Sequence, residues 1–454
     1  MVTPYYDAVI IGGGVTGEAT QYILNRFTNL KRCALIEKNR WVGEVNSSPE
    51  NNSQTSHDGS TETNYGLAHA LKVRDAARIL RRYVESKKDK KLFRKTNRMV
   101  LGVGQKEVAI LEERFRNFSQ HYPGLRLVGR EELKHIEPKV IDGRDPSESV
   151  CALVSSEGYA INYQRLAEWF HMDVEYDENS EFRTYFTTSV ENIIPHDGGD
   201  WFEVRTSRGV FSTYTLVAAC GPYSLSFAQA TGYGLEYGIL PVAGSFYSTG
   251  HFLDGKVYRV QKENMPFAEI HGDPDILDPK DTRFGPTTKP LPLMERYNYG
   301  TFFDYIKTPI VSYRGLRSLI KILRENKLMG YVAKNFLYDA PIIGPLCFLP
   351  EAKKVIPTLR YGDLKRRRGK GGIRPQIVNL NTGKLEMGNK IIETPRGNGI
   401  FVTTPSPGAS ICMDNGKYIA RKLVQARGAG YYFNEEMFLK EFEPDPIERL
   451  IFVG

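Results

Sequence analysis

The sequence predicts a mixed α/β fold that begins with a Rossmann-type nucleotide-binding unit. The first observation behind this prediction is a strand–turn–helix–strand pattern: apolar residues 7–11, three glycines, a helix over about residues 15–27 with one apolar side, and a second apolar run at 33–37. The second is that strand-like and helical segments alternate along the rest of the chain. The 454 residues suffice for two or three domains around a large core.

The later elements are predicted from hydrophobic periodicity. A helix is expected over about residues 67–85, and a long helical stretch over about 313–335. Between residues 240 and 286 the pattern is mostly that of strands. The chain then returns to a strand at 399–403, followed by a turn and a helix after Ala409. Further strand-like segments lie at residues 99–103, 189–194, 202–206 and 215–219.

The glycine turn after the first strand fits the dinucleotide-binding fingerprint GxGxxG. Gly12 permits the tight turn, Gly14 lets the backbone approach a pyrophosphate, and Gly17 lets the helix pack closely on the strand. Glu37 ends the second strand, where a carboxylate binds ribose hydroxyls. The alternative is a glycine-rich turn without a nucleotide. The pattern leaves FAD and NAD both open, and its position at the N-terminus favours FAD.

Composition excludes several classes of protein. The five cysteines are an odd number without a CxxC pair, so neither a disulfide framework nor a metal site is expected. The net charge of +8 favours an anionic lipid surface or an anionic small substrate, and no motif for binding nucleic acid occurs. No run of roughly eighteen uncharged apolar residues occurs, so no transmembrane helix is expected. The N-terminal residues predict no secretory or transit peptide.

A polar segment after the second strand carries groups that suit a flavin ring. Asn52, Ser53, Thr55 and His57 provide amide, hydroxyl and imidazole groups that can hydrogen-bond a cofactor. The alternative is a solvated loop, and composition alone does not separate the two.

Two later segments are also candidates for cofactor binding. The strand at 215–219 runs into a tight turn at Gly221. The last helix opens at Gly408, Ala409 and Ser410, whose N–H groups suit the flavin pyrimidine edge, where negative charge develops on reduction. An ordinary capped helix start is the alternative for this second segment.

A histidine and an aspartate two residues apart are candidates for proton transfer. If His271 and Asp273 lie on a strand, they share a face, and the carboxylate can orient the imidazole and raise its basicity. Oxidation of an alcohol needs such a base. The alternative is a structural histidine at a strand end.

Arg283 and Arg374 are candidates for binding a carboxylate, because guanidinium groups match carboxylates in a bidentate manner. Both stand beside glycine and proline, and the alternative for each is a solvated surface arginine. The basic run at 365–368 with Lys370 could contact anionic lipid or attract an anionic substrate, although a solvated loop is the commoner interpretation.

Taken together, these motifs resemble the malate:quinone oxidoreductase family, and its shorter bacterial branch most of all. The resemblance covers nearly the whole chain in matching order, and the NSQTSHDGSTETNY and SPGAS strings are its most specific parts. Other flavin oxidases of amino acids and hydroxy acids share only the first fingerprint and looser versions of the rest. The similar segments are DAVIIGGGVTG with ALIEK, NSQTSHDGSTETNY, GYGLEYGILPVAGSFY at 232–247, HGDPD at 271–275, GIRPQ at 372–376 and TPSPGAS at 404–410.

The resemblance implies a two-domain flavoprotein that oxidises malate to oxaloacetate by hydride transfer to flavin N5 and passes the electrons to a membrane quinone. An FAD-binding domain would comprise residues 1–88, 145–235 and 386–454. A substrate domain at 89–144 and 236–385 would cover the flavin ring with a mainly antiparallel sheet that carries helices. The family also implies a peripheral enzyme on the cytoplasmic face of the cell membrane, or on the mitochondrial inner membrane in a eukaryote, with an anionic lipid surface as a partner.

The resemblance further implies roles for single residues. His271 is the expected base with Asp273 as its partner, and Arg283 and Arg374 are the expected ligands of the substrate carboxylates, with Gln54 as a further substrate contact. The larger branch of the family reads His-Leu-Asp-Thr-Arg at the catalytic strand, whereas here Asp-Thr-Arg follows later, at 281–283. Three alternatives remain: a flavin enzyme for another 2-hydroxy acid such as 2-hydroxyglutarate, an NAD-linked dehydrogenase, and a binding protein that keeps FAD as a structural element.

Overall fold

The computed structural model describes residues 4–261, 269–308, 310, 312–325, 328–386, 388, 390–403 and 407–442. Its strands are β1 (Tyr6–Ile11), β2 (Cys33–Ile36), β3 (Phe93–Val103), β4 (Leu125–Gly129), β5 (Val150–Ile161), β6 (Arg183–Tyr185), β7 (Val190–His196), β8 (Trp201–Thr206), β9 (Gly209–Ala218), β10 (Tyr237–Ser248), β11 (Lys256–Arg259), β12 (His271–Pro274), β13 (Thr282–Pro290), β14 (Lys365–Arg366), β15 (Gly372–Asn379), β16 (Lys384–Glu386), β17 (Ile391–Glu393) and β18 (Gly399–Val402). Its α-helices are α1 (Val15–Phe27), α2 (Leu67–Ser86), α3 (Gln105–Phe118), α4 (Arg130–Ile136), α5 (Pro138–Ile141), α6 (Tyr163–Glu175), α7 (Tyr223–Ala230), α8 (Phe302–Ile306), α9 (Tyr313–Glu325), α10 (Leu328–Tyr338), α11 (Ile343–Ala352), α12 (Cys412–Arg427) and α13 (Glu435–Phe442).

The first sheet has the parallel centre of a nucleotide-binding fold. Its strands run in the order β17-β18-β9-β1-β2-β6, and all of these pairs are parallel except β17 with β18. Strands β7 and β8 extend the sheet through an antiparallel pairing of β8 with β9. Helix α1 packs against α6 and α12, with Ala19, Ile23 and Phe27 fully buried. The predicted Rossmann-type unit is therefore confirmed.

The second sheet is mainly antiparallel, as predicted. Its order is β16-β15-β10-β13-β12-β11-β3-β5-β4, with β14 paired to β10, and the pairing of β11 with β3 is its one parallel ladder among the described residues. In the β12–β13 ladder, His271 lies opposite Gly285 and Asp273 lies opposite Arg283. The sheet thus brings the candidate catalytic residues of β12 next to Arg283.

One strand differs from the predicted domain ranges. Strand β5 falls within the 145–235 range that was predicted for the FAD-binding domain, yet it pairs with β3 and β4 in the second sheet. The cause is the long antiparallel ladder from Phe93–Ile161 to Val103–Val150, which ties β5 to β3 across the intervening helices. The chain returns to the nucleotide-binding unit after β5, because the next helix, α6, packs on α1.

The helical stretch predicted over 313–335 consists of two helices, α9 and α10. Residues 326–327 between them lie outside the described part of the chain. Helix α10 packs on β13 and contacts both α9 and α11. Among the described residues, no helix combines the length and the apolar character needed to cross a bilayer.

Candidate active site

A cavity of about 970 Å³ lies against both sheets. On one side it is lined by residues at the carboxyl ends of β1, β2 and β9, which is the edge where open α/β sheets bind nucleotides. On the other side it is lined by parts of β10, β13 and β15. A ligand in this cavity would therefore reach from the nucleotide-binding turn to the antiparallel sheet.

The glycine turn is built as the fingerprint requires. Gly12 has a φ of +106°, and an added Cβ would lie 2.8 Å from the carbonyl oxygen of Ala219. An added Cβ on Gly17 would overlap the carbonyl oxygen of Gly12, because α1 packs directly on the turn. Gly14 lines the cavity immediately before α1. The turn thus leaves a bare backbone and a helix N-terminus facing the cavity, which fits the pyrophosphate of FAD.

Glu37 follows β2 and lines the cavity. Its Oε2 accepts a hydrogen bond from the backbone N of Gly13 at 2.6 Å, and its Oε1 accepts one from the backbone N of Asn39 at 2.7 Å. These bonds fix a carboxylate beside the glycine turn, where ribose hydroxyls would be bound.

Asn52 and Ser53 line the cavity in the polar loop after β2. The side-chain amide of Asn52 is used within the loop, because its Nδ2 donates to the carbonyl oxygens of Asn46 at 3.0 Å and Ser48 at 2.8 Å. Asn52 therefore shapes the cavity wall through the loop backbone.

His57 also lines the cavity and is held at both its backbone and its ring. Its backbone N donates to Oγ of Ser410 at 2.9 Å, and its Nδ1 lies 2.7 Å from Oε1 of Glu62. Burial raises the pKa of the Glu62 carboxyl, but Arg98 and the bond to His57 outweigh this and lower it below its usual value. The ring of His57 is thus oriented by an ionised carboxylate.

Two predicted site residues of this loop do not line the cavity. The hydroxyl groups of Thr55 and Tyr258 share a hydrogen bond of 2.7 Å, and the carbonyl oxygen of Thr55 accepts a hydrogen bond from the Tyr163 hydroxyl at 2.7 Å. Gln54 is fully buried with φ of +55°, and its Nε2 donates to Oδ1 of Asp275 at 2.9 Å. Its Oε1 accepts a further bond from a backbone N–H. Both residues support the loop, and the substrate contact of Gln54 stays a prediction that this placement does not favour.

The other two predicted cofactor segments reach the same cavity. Gly221, with φ of +60°, Gly408 and Ala409 line it, and Ser410 lies buried behind them. Helix α12 begins at Cys412, after a turn at 408–411, whereas the sequence predicted a helix directly after Ala409. Residues 404–406 lie outside the described part of the chain.

Arg374 projects from β15 onto the cavity wall. Burial lowers the pKa of its guanidinium, and the hydroxyls of Tyr258, Tyr65 and Tyr331 act in the opposite direction. The side chain of Arg374 makes no hydrogen bond or ion pair with any other residue that the structure describes, although its backbone lies opposite Val242 in the β10–β15 ladder. A cation that lines a cavity and lacks an anionic partner among the described residues is suited to bind a carboxylate.

His271 and Asp273 lie behind this wall in a buried ionic cluster. Nε2 of His271 is 3.2 Å from Oδ2 of Asp273, its Nδ1 is 3.1 Å from the carbonyl oxygen of Glu269, and its ring stacks on Tyr258 at 4.5 Å. Lys256 Nζ lies 3.3 Å from the same Asp273 carboxyl group. Burial raises the pKa of the Asp273 carboxyl, but the nearby Lys256 and His271 outweigh this and lower the pKa below its usual value. Burial also lowers the pKa of the Lys256 ammonium, to about 8. His271 is paired with Asp273 as the strand spacing predicts, yet it does not line the cavity.

Arg283 is buried next to this cluster and does not line the cavity either. Its Nη1 donates to the carbonyl oxygens of Pro49 at 3.1 Å and Asn52 at 3.3 Å. Its Nε is 3.8 Å from Asp275, and its guanidinium lies 4.9 Å from the ring centre of Phe246, which does line the cavity. Arg283 therefore holds the polar loop from behind.

The basic run is largely engaged with neighbouring acceptors. Arg366 donates to the carbonyl oxygen of Asp339 at 2.6 Å, Arg367 pairs with Asp275 at 2.7 Å, and Lys370 pairs with Glu50. These side chains tie the run to the protein rather than to solvent.

Several residues of the site were not singled out by the sequence. They are Tyr65, Tyr331, Tyr258, Lys256 and Glu62. Alternation along β11 could have indicated that Lys256 and Tyr258 share a face. The two other tyrosines and Glu62 come from a loop and a helix whose position no local pattern shows.

Comparison with known proteins shows the family of the chain. The family model described as Malate:quinone oxidoreductase (Mqo) matches residues 5–426. A protein of Helicobacter acinonychis (strain Sheeba), described as a probable malate:quinone oxidoreductase, is 36% identical over 453 residues, which is 98% of this chain and 99% of that protein.

Solved structures share the fold at lower identity. Glycine oxidase from Geobacillus kaustophilus superposes with a TM-score of 0.65 at 16% identity, covering 96% of this chain and 98% of that one. L-alpha-glycerophosphate oxidase from Mycoplasma pneumoniae, solved with FAD bound, has a TM-score of 0.63 at 17% identity and covers 92% of this chain and 94% of that one. These structures agree with the two-sheet fold seen here.

Proposed function

The chain belongs to the malate:quinone oxidoreductase family, and from this premise we propose how its own residues carry out the reaction. It is an FAD-dependent enzyme that oxidises malate and passes the electrons to a quinone. The observation that carries the proposal is Arg374, a cation that lines the cavity and has no ionic partner among the described residues. A substrate with two carboxylates supplies the partner that Arg374 lacks.

The cavity wall is proposed to hold FAD from the glycine turn to the loop of His57. When bound, FAD supplies the acceptor for the hydrogen and the two electrons that leave C2 of malate, and it passes these electrons to the quinone. The turn and Glu37 would bind its phosphates and ribose, while the loop and the segment before α12 would face its ring. The residues proposed to hold it are Gly12, Gly14, Gly17, Glu37, Asn52, Ser53, Thr55, His57, Gly221, Gly408, Ala409 and Ser410.

Arg374 is proposed to bind one carboxylate of malate in a bidentate manner. A planar guanidinium fixes the direction of the substrate as well as its charge, so that C2 is aimed at the cofactor. Tyr65, Tyr258 and Tyr331 lie near enough to this guanidinium to favour its charged form. Arg283 contributes positive charge from behind Phe246, and its direct contact with malate stays a prediction.

His271 remains our proposed acceptor of the C2 hydroxyl proton. The ionised Asp273 carboxylate at 3.2 Å would stabilise the imidazolium that forms. Nδ1 of His271 lies 3.1 Å from the carbonyl oxygen of Glu269, while its Nε2 makes no hydrogen bond among the described residues. Because His271 does not line the cavity, its role requires the side chain to reach the cavity when substrate binds. His57 is the alternative acceptor, because it already lines the cavity and Glu62 orients it.

As a member of this family the protein is a membrane-associated enzyme. We propose that it works on the cytoplasmic face of the cell membrane, or on the mitochondrial inner membrane if its source is eukaryotic. The five cysteines are all free, as is usual in a reducing compartment. A membrane quinone and an anionic lipid surface are its proposed partners.

The proposed function is tested with purified protein and a short-chain quinone. Heat-denatured protein should release FAD, and malate should then drive quinone reduction by the intact protein without added NAD, with oxaloacetate as the product. Release of no flavin, or a requirement for NAD, would contradict the proposal.

A further inference from the structure

Exposed apolar side chains are concentrated in one part of the molecule. Among the described residues, twenty-two large apolar or aromatic side chains are exposed, and thirteen of them lie between residues 299 and 346. Such a concentration on a folded domain marks an interaction surface. We call it the α8–α11 surface, and its thirteen side chains are Tyr299, Phe302, Phe303, Ile306, Tyr313, Leu316, Ile320, Met329, Phe336, Leu337, Ile342, Ile343 and Leu346.

Helix α9 shows how this surface is built. Tyr313, Leu316 and Ile320 are spaced three and four residues apart and lie on one side of the helix, where they are 81%, 49% and 50% exposed. Ser318 and Ile322 are buried on the opposite side. The helix therefore exposes apolar side chains on the side opposite its buried residues, which a helix facing only water would not require.

The neighbouring helices continue the apolar surface. Met329, Phe336 and Leu337 are exposed on α10, and Ile342 and Leu346 are exposed at α11. Helix α10 contacts both α9 and α11, so the exposed side chains of the three helices belong to neighbouring elements. The exposed apolar side chains of these helices are therefore not isolated on the protein surface.

Positive charge accompanies the apolar side chains. Residues 299–346 contain seven basic and three acidic residues, and one of the three, Asp339, is paired with Lys289 and Arg296. Among the basic side chains, Arg317 and Arg324 are exposed on α9 beside the apolar residues. A second copy of the same face would bring like charges together, whereas anionic headgroups would complement them.

The same surface borders the cavity. Asp304 and Lys307, in and directly after α8, line the cavity together with Thr308. The exposed apolar side chains Phe303 and Ile306 belong to the same helix. A lipophilic molecule held at this surface would therefore stand beside an edge of the cavity.

We propose that the α8–α11 surface is the part of the protein that inserts into an anionic bilayer. Aromatic and aliphatic side chains would enter the headgroup region, and Arg317, Arg324 and Lys307 would remain at the level of the lipid phosphates. The position of α8 would deliver a quinone from the bilayer to the cavity. This inference rests on the proposed use of a membrane quinone.

The test is flotation of the purified holoenzyme with vesicles of phosphatidylcholine alone or mixed with phosphatidylglycerol. The unchanged protein should float with the mixed vesicles. Leu316→Ser with Ile320→Ser should lower the partition coefficient about tenfold or more. Arg317→Gln with Arg324→Gln should weaken binding at low salt, and the difference should shrink at high salt.

Matched controls use exposed residues far from this segment. Tyr176→Ser with Val210→Ser removes side chains that are 78% and 61% exposed, and Arg116→Gln with Arg208→Gln removes two exposed charges. Both control variants should float as the unchanged protein does. Flavin content and reduction by malate should be normal in every variant, which keeps this test separate from that of the proposed function.

Four results would overturn the inference. The first is that the unchanged protein stays in the soluble fraction, and the second is that the variant with Leu316→Ser and Ile320→Ser floats normally. The third is that the control variants lose as much binding as the α9 variants. The fourth is that the α9 variants change only the oligomeric state, measured by light scattering. A further expected result is loss of turnover with vesicle-embedded quinone but not with a water-soluble acceptor.

Discussion

Arg374 shows how one residue of the site depends on partners from distant parts of the chain. It lies on β15, while Tyr65 precedes α2, Tyr258 belongs to β11 and Tyr331 belongs to α10. The sequence indicates Arg374 because a glycine-flanked turn precedes it. The phenols could not be predicted, since contacts between distant elements leave no local pattern in the sequence.

Arg374→Lys should weaken malate binding and slow flavin reduction, each by about tenfold or more. Lysine keeps the positive charge but loses the planar fork that orients a carboxylate. The measurement is stopped-flow flavin reduction over a range of malate concentrations under anaerobic conditions.

The matched control for this variant is Arg144→Lys. Arg144 has a side chain only 5% exposed, and it donates to the carbonyl oxygens of Val140 and Lys354 away from the cavity. It should leave both kinetic constants unchanged. If Arg374→Lys also matched the unchanged enzyme in affinity and limiting rate, the carboxylate-binding role would be wrong.

His271→Ala should lower the limiting rate of flavin reduction by roughly a hundredfold, as expected for loss of a general base. Its FAD content should remain near normal because His271 does not line the cavity. The same rate is measured across a range of pH for His271→Ala and for His57→Gln.

The two histidine variants distinguish the two candidate bases. If His271 is the acceptor, the acidic limb of the pH profile, where the rate falls as the base becomes protonated, should disappear in His271→Ala and persist in His57→Gln. The reverse result would assign the proton to His57, oriented by Glu62, and would leave His271 as a support for Tyr258.

At the scale of elements, the nucleotide-binding unit could be predicted because its pattern is local. Strand, turn, helix and second strand follow each other within 36 residues, and each glycine has one defined purpose. The pairing of β5 leaves no such local pattern, because β5 pairs with β3 across the helices α3 to α5. The helical stretch predicted over 313–335 could be predicted from hydrophobic periodicity, and α9 and α10 both lie in it.

Gly17→Ala should abolish retention of FAD. The added Cβ would overlap the carbonyl oxygen of Gly12 and push α1 away from the turn. Gly66→Ala is the control, because Gly66 is the N-cap residue of α2 and an added Cβ there meets nothing within 4 Å, whereas Gly17 lies in the first turn of α1. The flavin-to-protein absorbance ratio is the measurement, and a normal ratio in Gly17→Ala would contradict the packing described for the turn.

Glu18→Gln should stabilise the protein at alkaline pH. Glu18 is fully buried in the first turn of α1, and burial raises the pKa of its carboxyl to about 7, against the effect of His171. A carboxyl group with a raised pKa favours folding most below its unfolded pKa, and this contribution is lost as pH rises through 7.

The gain from Glu18→Gln should therefore grow between about pH 5 and 8, to as much as about 3 kcal/mol. Thermal unfolding at both pH values is the measurement. Equal melting temperatures for the two proteins at pH 8 would show that the buried carboxylate costs no stability.

At the scale of the whole molecule, the site is the space that two sheets enclose. The first sheet supplies the glycine turn and Glu37, and the second supplies Arg374 together with the buried cluster of His271 and Asp273. The sequence predicted both sheets and singled out ten of the residues that line the cavity, namely Gly12, Gly14, Glu37, Asn52, Ser53, His57, Gly221, Arg374, Gly408 and Ala409. It did not predict which of the candidate residues face the cavity, because that depends on how the sheets meet, and so Gln54, Arg283 and His271 lie behind the wall.

The most direct test of this account is anaerobic mixing of the purified holoenzyme with a panel of hydroxy acids while the flavin absorbance is recorded. Malate should bleach the flavin rapidly, 2-hydroxyglutarate and monocarboxylic hydroxy acids should do so far more slowly, and a short-chain quinone should then restore the colour. A flavin that malate leaves oxidised, or that 2-hydroxyglutarate reduces faster than malate, would contradict the account.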